Sequence, residues 1–243
     1  MLKTADIPAV ILAAGEGTRL RNENENVKPL IGINGKPLIS FIIDNLIYAG
    51  FTKIYIIKRK EISFEIVTQM YQNIDIIYIN EKQHLGSLYS FYHLQYIKEE
   101  MFLCTDCDII ANSEAFNKMV ERGKAVLKIN NISGVMARVI NPTKQDVDMI
   151  KTLGSKVISF EKRGVELGER GGYVYLWKKE ILKQCKDFMK QGRYSLSAYI
   201  SFLVQKYNIS FMDIEDLWDV DTLNDLVFSE RKINEVKNEK SII

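Results

Sequence analysis

The sequence predicts an α/β fold: a mostly parallel, Rossmann-like sheet flanked by helices, with a smaller β/α extension at its end. Three features carry that expectation. Short apolar runs alternate with amphipathic helical periods through the first half of the chain, as in a sheet covered by helices on both faces. The first such run, Ile7 to Ala13 broken only by Pro8, reads as a buried strand and opens into a turn at Gly15 and Gly17. From about Val135 the pattern shifts to strands joined without long helices.

After the glycine turn, Pro37 suits a first helical position. Leu38, Ile39, Ile42, Ile43, Leu46 and Ile47 then form a wide apolar face that Gly50 ends. Lys53–Ile57 reads as a strand, Glu65–Gln72 as a helix, Asp75–Ile79 as a strand and Ser87–Ile97 as a helix. Met101–Thr105 is a buried strand leading into acidic residues. Ser113 is the expected cap of the next helix, Gly123 its end, and Lys124–Ile129 a following strand. In the second half, Val135–Ile140, Lys156–Phe160 and Gly171–Trp177 read as strands. Helices follow over Lys178–Gln191 and Ser195–Tyr207, then a strand over Ile209–Ile214 and a charged closing helix from Asp221 to about Lys240. No Pro-, Gly- or Ser-rich linker divides the chain and no internal repeat is present. Residues 1–243 are therefore expected to form a single domain of two halves, 1–130 and 131–243, sharing a cleft.

Composition narrows the function classes. A net charge of +2 lacks the basic excess that phosphate-backbone binding requires, so no nucleic acid is expected as partner. No stretch approaches the roughly 20 apolar residues of a membrane span, and the opening Met-Leu-Lys-Thr-Ala-Asp has no signal-peptide core. Three cysteines are an odd count and give no disulfide framework. A cytoplasmic protein without membrane insertion is the expectation. Cys104 and Cys107 form a C-x-x-C, but no second pair stands at zinc-ligand spacing and His84 and His93 do not complete a set. They read as packing residues near a strand end.

The chemistry is concentrated in Ile11-Leu-Ala-Ala-Gly-Glu-Gly-Thr-Arg-Leu20, followed by Lys28-Pro-Leu30. Gly15 and Gly17 expose backbone N–H groups and let a ligand approach the main chain. Arg19 and Lys28 bring two cations to the same loop, a combination suited to a polyphosphate. Leu20 stands where a dinucleotide fingerprint needs its third Gly, and Gly17-Thr18-Arg19 is not the Gly-Lys-Ser/Thr of a P-loop. Two acidic pairs, Asp106/Asp108 and Asp219/Asp221, have i, i+2 spacing, which in extended backbone puts both carboxylates on one face. Mg²⁺ takes a few carboxylate oxygens plus substrate phosphates, so one aspartate from each pair would serve it. The plainer readings are a helix cap for Asp221 or Thr222 and a turn for Asp108.

Together these residues resemble the sugar-nucleotide pyrophosphorylase family of nucleotidyltransferases, whose opening reads Leu-Ala-Ala-Gly-x-Gly-Thr-Arg-Leu and then Lys-Pro-Leu. The resemblance implies the nucleotide-diphospho-sugar transferase type of sheet, with a nucleotide-binding first half and an acceptor-binding second half. It implies nucleotide contacts for Leu12, Ala13, Ala14, Gly15, Gly17 and Thr18, and for Gly86-Ser87 at the base. It makes Arg19, Lys28 and Lys162 catalytic and places metal aspartates at Asp106, with Asp108 beside it, and in Trp218-Asp-Val-Asp-Thr222, with Asp219 favoured over Asp221 as direct ligand. Thr105 replaces the Gly of the family's strand-end Gly-Asp. Glu161-Lys162 resembles the acceptor-binding Glu-Lys, with Arg163 in place of the usual Pro, and Gly172-Tyr173 falls in the Gly-x-Tyr strand beside the acceptor, where a missing side chain leaves room for a ring.

Two smaller groups are closest in pattern. Gly86-Ser-Leu-Tyr-Ser90 and the ending Leu-Trp-Asp-Val-Asp-Thr resemble the inositol-1-phosphate cytidylyltransferases. Leu88-Tyr-Ser-Phe-Tyr92 and Asp106-Cys-Asp108 are also similar to the bacterial phosphocholine cytidylyltransferases, for which Tyr89, Tyr92, Tyr173, Tyr175 and Trp177 would offer aromatic faces to a cation. The expected partners are thus a nucleoside triphosphate, CTP favoured over UTP or dTTP, and a phosphorylated acceptor, inositol 1-phosphate favoured over a sugar 1-phosphate or phosphocholine. Mg²⁺ is the expected cofactor and a homodimer the assembly considered. Two rival classes use parts of this pattern. A metal-dependent glycosyltransferase would use Asp-x-Asp but has no need of the cationic loop, and a nucleotide sensor would have no need of the carboxylates.

Overall fold

The computed structural model describes residues 7–15, 17–20, 27–72, 75–81, 85–140, 148–161 and 169–240. Strand β1 (Ala9–Leu12) leads through the glycine loop to a short hairpin, β2 (Gly32–Ile33) and β3 (Lys36–Pro37), and to helix α1 (Leu38–Tyr48). Then come β4 (Lys53–Arg59), α2 (Glu65–Met70), β5 (Asp75–Glu81), α3 (Ser87–Tyr92), β6 (Met101–Asp106), β7 (Ile109–Ala111) and α4 (Ser113–Leu127). The second half holds β8 (Gly134–Ile140), β9 (Met149–Leu153), β10 (Lys156–Glu161), β11 (Glu169–Lys178), α5 (Cys185–Lys190), α6 (Leu196–Lys206), β12 (Ile209–Glu215), β13 (Leu217–Asp219) and α7 (Leu223–Lys240). Among the described residues no helix is long and apolar enough to cross a membrane.

Nine strands form one sheet in the order β5-β4-β1-β6-β11-β8-β12-β10-β9. The first-half strands pair in parallel, β12 pairs in parallel with β8, and β11 and β10 run against their neighbours. This is the expected mostly parallel sheet. Its central strands, β1, β4, β6 and β8, are buried along most of their length because both faces are covered. Ala9 and Ile11 face a core shared with α1, α2 and α4, while Val10 and Leu12 face a second core shared with α3, α5 and α6. Cys104, on β6, faces the second core, and Cys107, in the turn after it, the first. Both are buried free thiols, as expected of packing residues.

Several local expectations are corrected. Gly123 does not end its helix, and 124–127 continue α4 instead of starting a strand; the next strand begins at Gly134. A Cβ at Gly123 would lie 2.4 Å from Leu176 Cδ1, so this glycine is there to let the helix approach the sheet. Asn112, not Ser113, caps α4, accepting from the N–H groups of Glu114 and Ala115 at 3.1 Å each. Ser113 Oγ instead donates to Asn45 Oδ1 at 2.6 Å. Pro37 ends β3 and caps α1 from outside. The unanticipated hairpin turns on Asn34 (φ +51°) and Gly35 (φ +79°), an Asn-Gly pair suited to two left-handed residues.

Candidate active site

The carboxyl ends of β1, β4 and β6 lie at one edge of the sheet, where ligands of open α/β sheets bind. Ala13 N–H donates to Ile57 O at 2.8 Å, carrying the β1 ladder to the mouth of the glycine loop. At Gly17 the backbone is left-handed (φ +59°), and a Cβ would lie 2.4 Å from Lys28 Cβ. Glycine is needed there twice over, for its conformation and for the passage of the Lys28 stem. Leu20 N–H closes a 3-10 turn on Gly17 O at 3.0 Å, and the buried Leu20 anchors it in a third small core with Ile110, Trp218 and Val220. Arg19 is thereby left on the cleft side.

The two acidic pairs, more than a hundred residues apart in sequence, are brought together by a two-stranded ladder. β13 pairs antiparallel with β7, Asp219 opposite Ile109 and Trp218 opposite Ile110. Val220 N–H then donates to Asp108 O at 3.0 Å. The pairs divide their work. Lys28 Nζ is bound by the Asp108 carboxylate and, at 2.6 Å, by Asp221 Oδ1, and Arg19 reaches Asp221 Oδ2 at 3.1 Å. Burial alone would lower the Lys28 pKa, but Asp108 and Asp221 together hold the ammonium above its ordinary value. Asp106 and Asp219 lie beside them, close enough that burial and then the neighbouring carboxylates of Asp108, Asp148 and Asp219 push the Asp106 pKa well up, against the pull of Lys28. The cap of α7 falls one residue on: Thr222 Oγ1 accepts from Asp225 N–H at 3.3 Å, and Asp225 Oδ2 accepts from the N–H groups of Asp221 and Thr222.

Two adjoining cavities share this cluster. The first, about 250 Å³, is lined by Leu12, Ala14, Gly15, Gly17, Arg19, Lys28, Ser87 and Asp106 to Asp108. The second, about 180 Å³, shares Arg19, Ser87, Asp106, Asp108 and Asp221 and adds Asp148, Tyr173, Tyr175 and Asp219. Gly86 takes φ +130°, where a Cβ would lie 2.8 Å from Tyr194 O. Ser87 Oγ accepts from Leu196 N–H at 2.9 Å, which fixes it between the cavities. Ala13 is buried behind the loop, and Thr18 belongs to the 3-10 turn.

The acceptor-side expectations fare unevenly. Glu161 is exposed at the end of β10, with Ser159 Oγ donating to it at 3.3 Å, and Lys162 lies outside the described residues. The space left at Gly172 is taken up by protein, since a Cβ there would lie 2.8 Å from Val139 Cγ2. It admits β8 rather than a ligand ring. Sequence reasoning missed Asp148, although Asp146-Val-Asp148 repeats the i, i+2 acidic spacing, because nothing immediately before it reads as a strand. Among the described residues no group of three His, Cys, Asp or Glu side chains stands ready to hold a metal ion. The hard oxygens of Asp106 and Asp219 nonetheless suit Mg²⁺, which completes its shell with water and phosphate.

A parallel-core sheet whose cationic glycine loop faces two acidic turns across one cleft defines the class, an α/β protein with a charged cleft at the carboxyl ends of its strands. The chain belongs to the nucleotidyl transferase family, which it matches over residues 8–235. It is 30% identical over 108 residues to the UTP–glucose-1-phosphate uridylyltransferase of Haloferax volcanii, a match spanning 43% of this chain and 44% of that one. It is 40% identical over 96 residues to the choline-phosphate cytidylyltransferase of Streptococcus pneumoniae, covering 38% of this chain and 40% of that one. The inositol-1-phosphate CTP transferase structure from T. maritima superposes with a TM-score of 0.80 over 93% of each chain at 16% identity, a likeness of fold.

Proposed function

We propose that the protein transfers a nucleotidyl group from a nucleoside triphosphate to a small phosphorylated acceptor and releases pyrophosphate. CTP is the favoured donor and inositol 1-phosphate the favoured acceptor. The observation that carries this reading is the meeting of Arg19 and Lys28 with both acidic pairs at one pair of cavities. CTP is supported by the names of two of the proteins the chain resembles, a choline-phosphate cytidylyltransferase and an inositol-1-phosphate CTP transferase. The first of those names also supports phosphocholine as a second acceptor.

The chemistry follows from the residues. An oxygen of the acceptor's phosphate attacks the α-phosphorus in line; that P–O bond forms as the bond from the α-phosphorus to the bridging oxygen breaks, and pyrophosphate leaves with the electron pair. The nucleophile is anionic at neutral pH, so no Ser, Cys or His has to activate it. Catalysis is then positioning and charge neutralisation. The glycine loop seats the phosphates, Arg19 meets the charge gathering on the departing pair, and Lys28 meets that on the α-phosphoryl oxygens. Asp106 and Asp219 would hold Mg²⁺, which supplies Lewis-acid neutralisation of phosphate oxygens when bound. Asp108 and Asp221 orient Lys28 for its task.

The test is pyrophosphate release from CTP, UTP, dTTP and GTP, each against inositol 1-phosphate, glucose 1-phosphate, phosphocholine and phosphoethanolamine, with Mg²⁺ and with EDTA. Turnover in at least one pair, lost in EDTA, is expected. Arg19→Ala and Asp106→Ala should each lower it by about 10²–10³-fold without unfolding the protein. Wild-type turnover in either variant overturns the assignment, and a glycosyltransferase would release no pyrophosphate at all.

A further inference from the structure

The wall of the second cavity carries chemistry that triphosphate binding does not call on. Asp148, which is buried, stands immediately before β9, and its carbonyl accepts from Gly171 N–H at 2.9 Å. That bond ties it to β11 just where β11 changes partner. Gly171 and Gly172 have no room for a Cβ against Ile150 and Val139, and the register of β11 on β8 shifts between Gly172 and Tyr175. A bulge of this kind re-aims side chains, and it lets Tyr173 and Tyr175 line one cavity although they pack against opposite cores. Tyr175 is only 6% exposed and is held flat on Trp177, ring centroids 5.6 Å apart.

Neither phenol oxygen exchanges a hydrogen bond with another described residue. A deeply set phenol O–H without a partner among the described residues is open to one on a ligand. Burial, and then the neighbouring carboxylates, keep both phenols protonated and therefore donors. Asp148 offers the opposite, an acceptor-only carboxylate.

We propose that Asp148, with Tyr173 and Tyr175, selects the acceptor through its hydroxyl groups, the carboxylate accepting from ring hydroxyls of a cyclic polyol or sugar phosphate and the phenols donating to ring oxygens. The proposal rests on the nucleotidyl-transfer reading, which assigns the first cavity to the triphosphate and leaves the second to the acceptor. A hydroxyl both gives and takes a hydrogen bond, so it uses this wall completely. A trimethylammonium group does neither and would leave both phenols unmet.

Asp148→Ala and Asp148→Asn should be assayed for kcat and KM separately, in the triphosphate and in the polyol phosphate, with thermal melts as the control for folding. The Ala variant is expected to raise the acceptor KM about 10- to 100-fold, the loss of a hydrogen bond to a charged group. The Asn variant, which still accepts one bond, should lie between, and the KM for the triphosphate should stay within about twofold. Acceptors with one ring hydroxyl replaced by hydrogen should lose the same factor against wild type and nothing further against Asp148→Ala. A merely structural aspartate would not give that coupling. Should Asp148→Ala fail to fold, the Asn variant and the deoxy acceptors on wild type carry the same test. An unchanged acceptor KM, or phosphocholine preferred over every polyol phosphate, overturns this proposal and leaves nucleotidyl transfer standing. No pyrophosphate from any pair overturns both.

Discussion

Asp106 is the residue on which stability and activity pull apart. Its carboxyl sits deep in the cleft wall, and burial, then Asp108, Asp148 and Asp219, raise its pKa well above the usual carboxylate range despite Lys28. The native state therefore binds this proton more tightly than the unfolded chain, and stability falls as pH rises from the unfolded pKa through the folded one. Wherever the group is ionised without a bound cation it is a net cost to the fold. Asp106→Asn should accordingly raise the thermal midpoint, by about 2–4 °C for each 1 kcal/mol of repulsion removed in a chain of this size, while turnover falls at least about 10²-fold. Calorimetry at pH 7, beside the pyrophosphate assay, checks both halves; a lowered midpoint would show that the carboxylate is satisfied where it stands. Residues of this kind were legible when their spacing was local. Arg19 and Lys28 could be picked out because they belong to one glycine-loop string with its following Lys-Pro-Leu, and the two Asp-x-Asp pairs because each sits at or near a strand end. Asp148, in Gln145-Asp-Val-Asp148, has the same i, i+2 spacing but follows directly on no recognisable strand, and only the pairing of β11 with β9 brings it to the cleft.

The elements themselves were readable where burial on two faces makes a strand uniformly apolar, and misread where a glycine had two possible meanings. Gly123 has the look of a helix terminator, yet it sits inside α4 with Leu176, Val135 and Met212 packed over it. Helix propensity favours Gly123→Ala by about 1 kcal/mol, and the clash with Leu176 Cδ1 opposes it. Overpacking in a closed core costs about 1–3 kcal/mol, because Leu176 is itself 1% exposed and has nowhere to turn. The clash should win, so Gly123→Ala is expected to lower stability by up to about 2 kcal/mol in urea denaturation with an unchanged m-value. A stabilised variant would mean that α4 can slide on the sheet. The caps show the same limit in reverse. Asn112 and Ser113 are both good capping residues, and the choice between them is made by tertiary contact, because Ser113 is drawn to Asn45 on α1.

The whole molecule is tied together by contacts between residues remote in sequence. Each of the two large cores takes side chains from both halves, one running from Ile7 to Leu217 and the other from Val10 to Ile209. β6 of the first half is hydrogen-bonded to β11 of the second. Lys28 joins Asp108 to Asp221 across the cleft, over separations of 80 and 193 residues. With both cores shared, the halves have no separate interiors to melt, and the chain should unfold in one cooperative step, far- and near-ultraviolet circular dichroism changing together. Two resolved transitions would mark residues 1–130 and 131–243 as independent units. The same architecture sets how the protein should answer its ligand. A triphosphate seated on Arg19 and Lys28 in the presence of Mg²⁺ binds only the folded chain, so at 100 times its Kd it should add about 2.7 kcal/mol, or about 5–10 °C in the midpoint. Lys28→Ala should abolish that shift. It also leaves Asp108 and Asp221 facing each other without their shared cation, so its own midpoint should fall below that of the wild type. A wild-type shift that survives in Lys28→Ala would place the triphosphate somewhere other than this cleft.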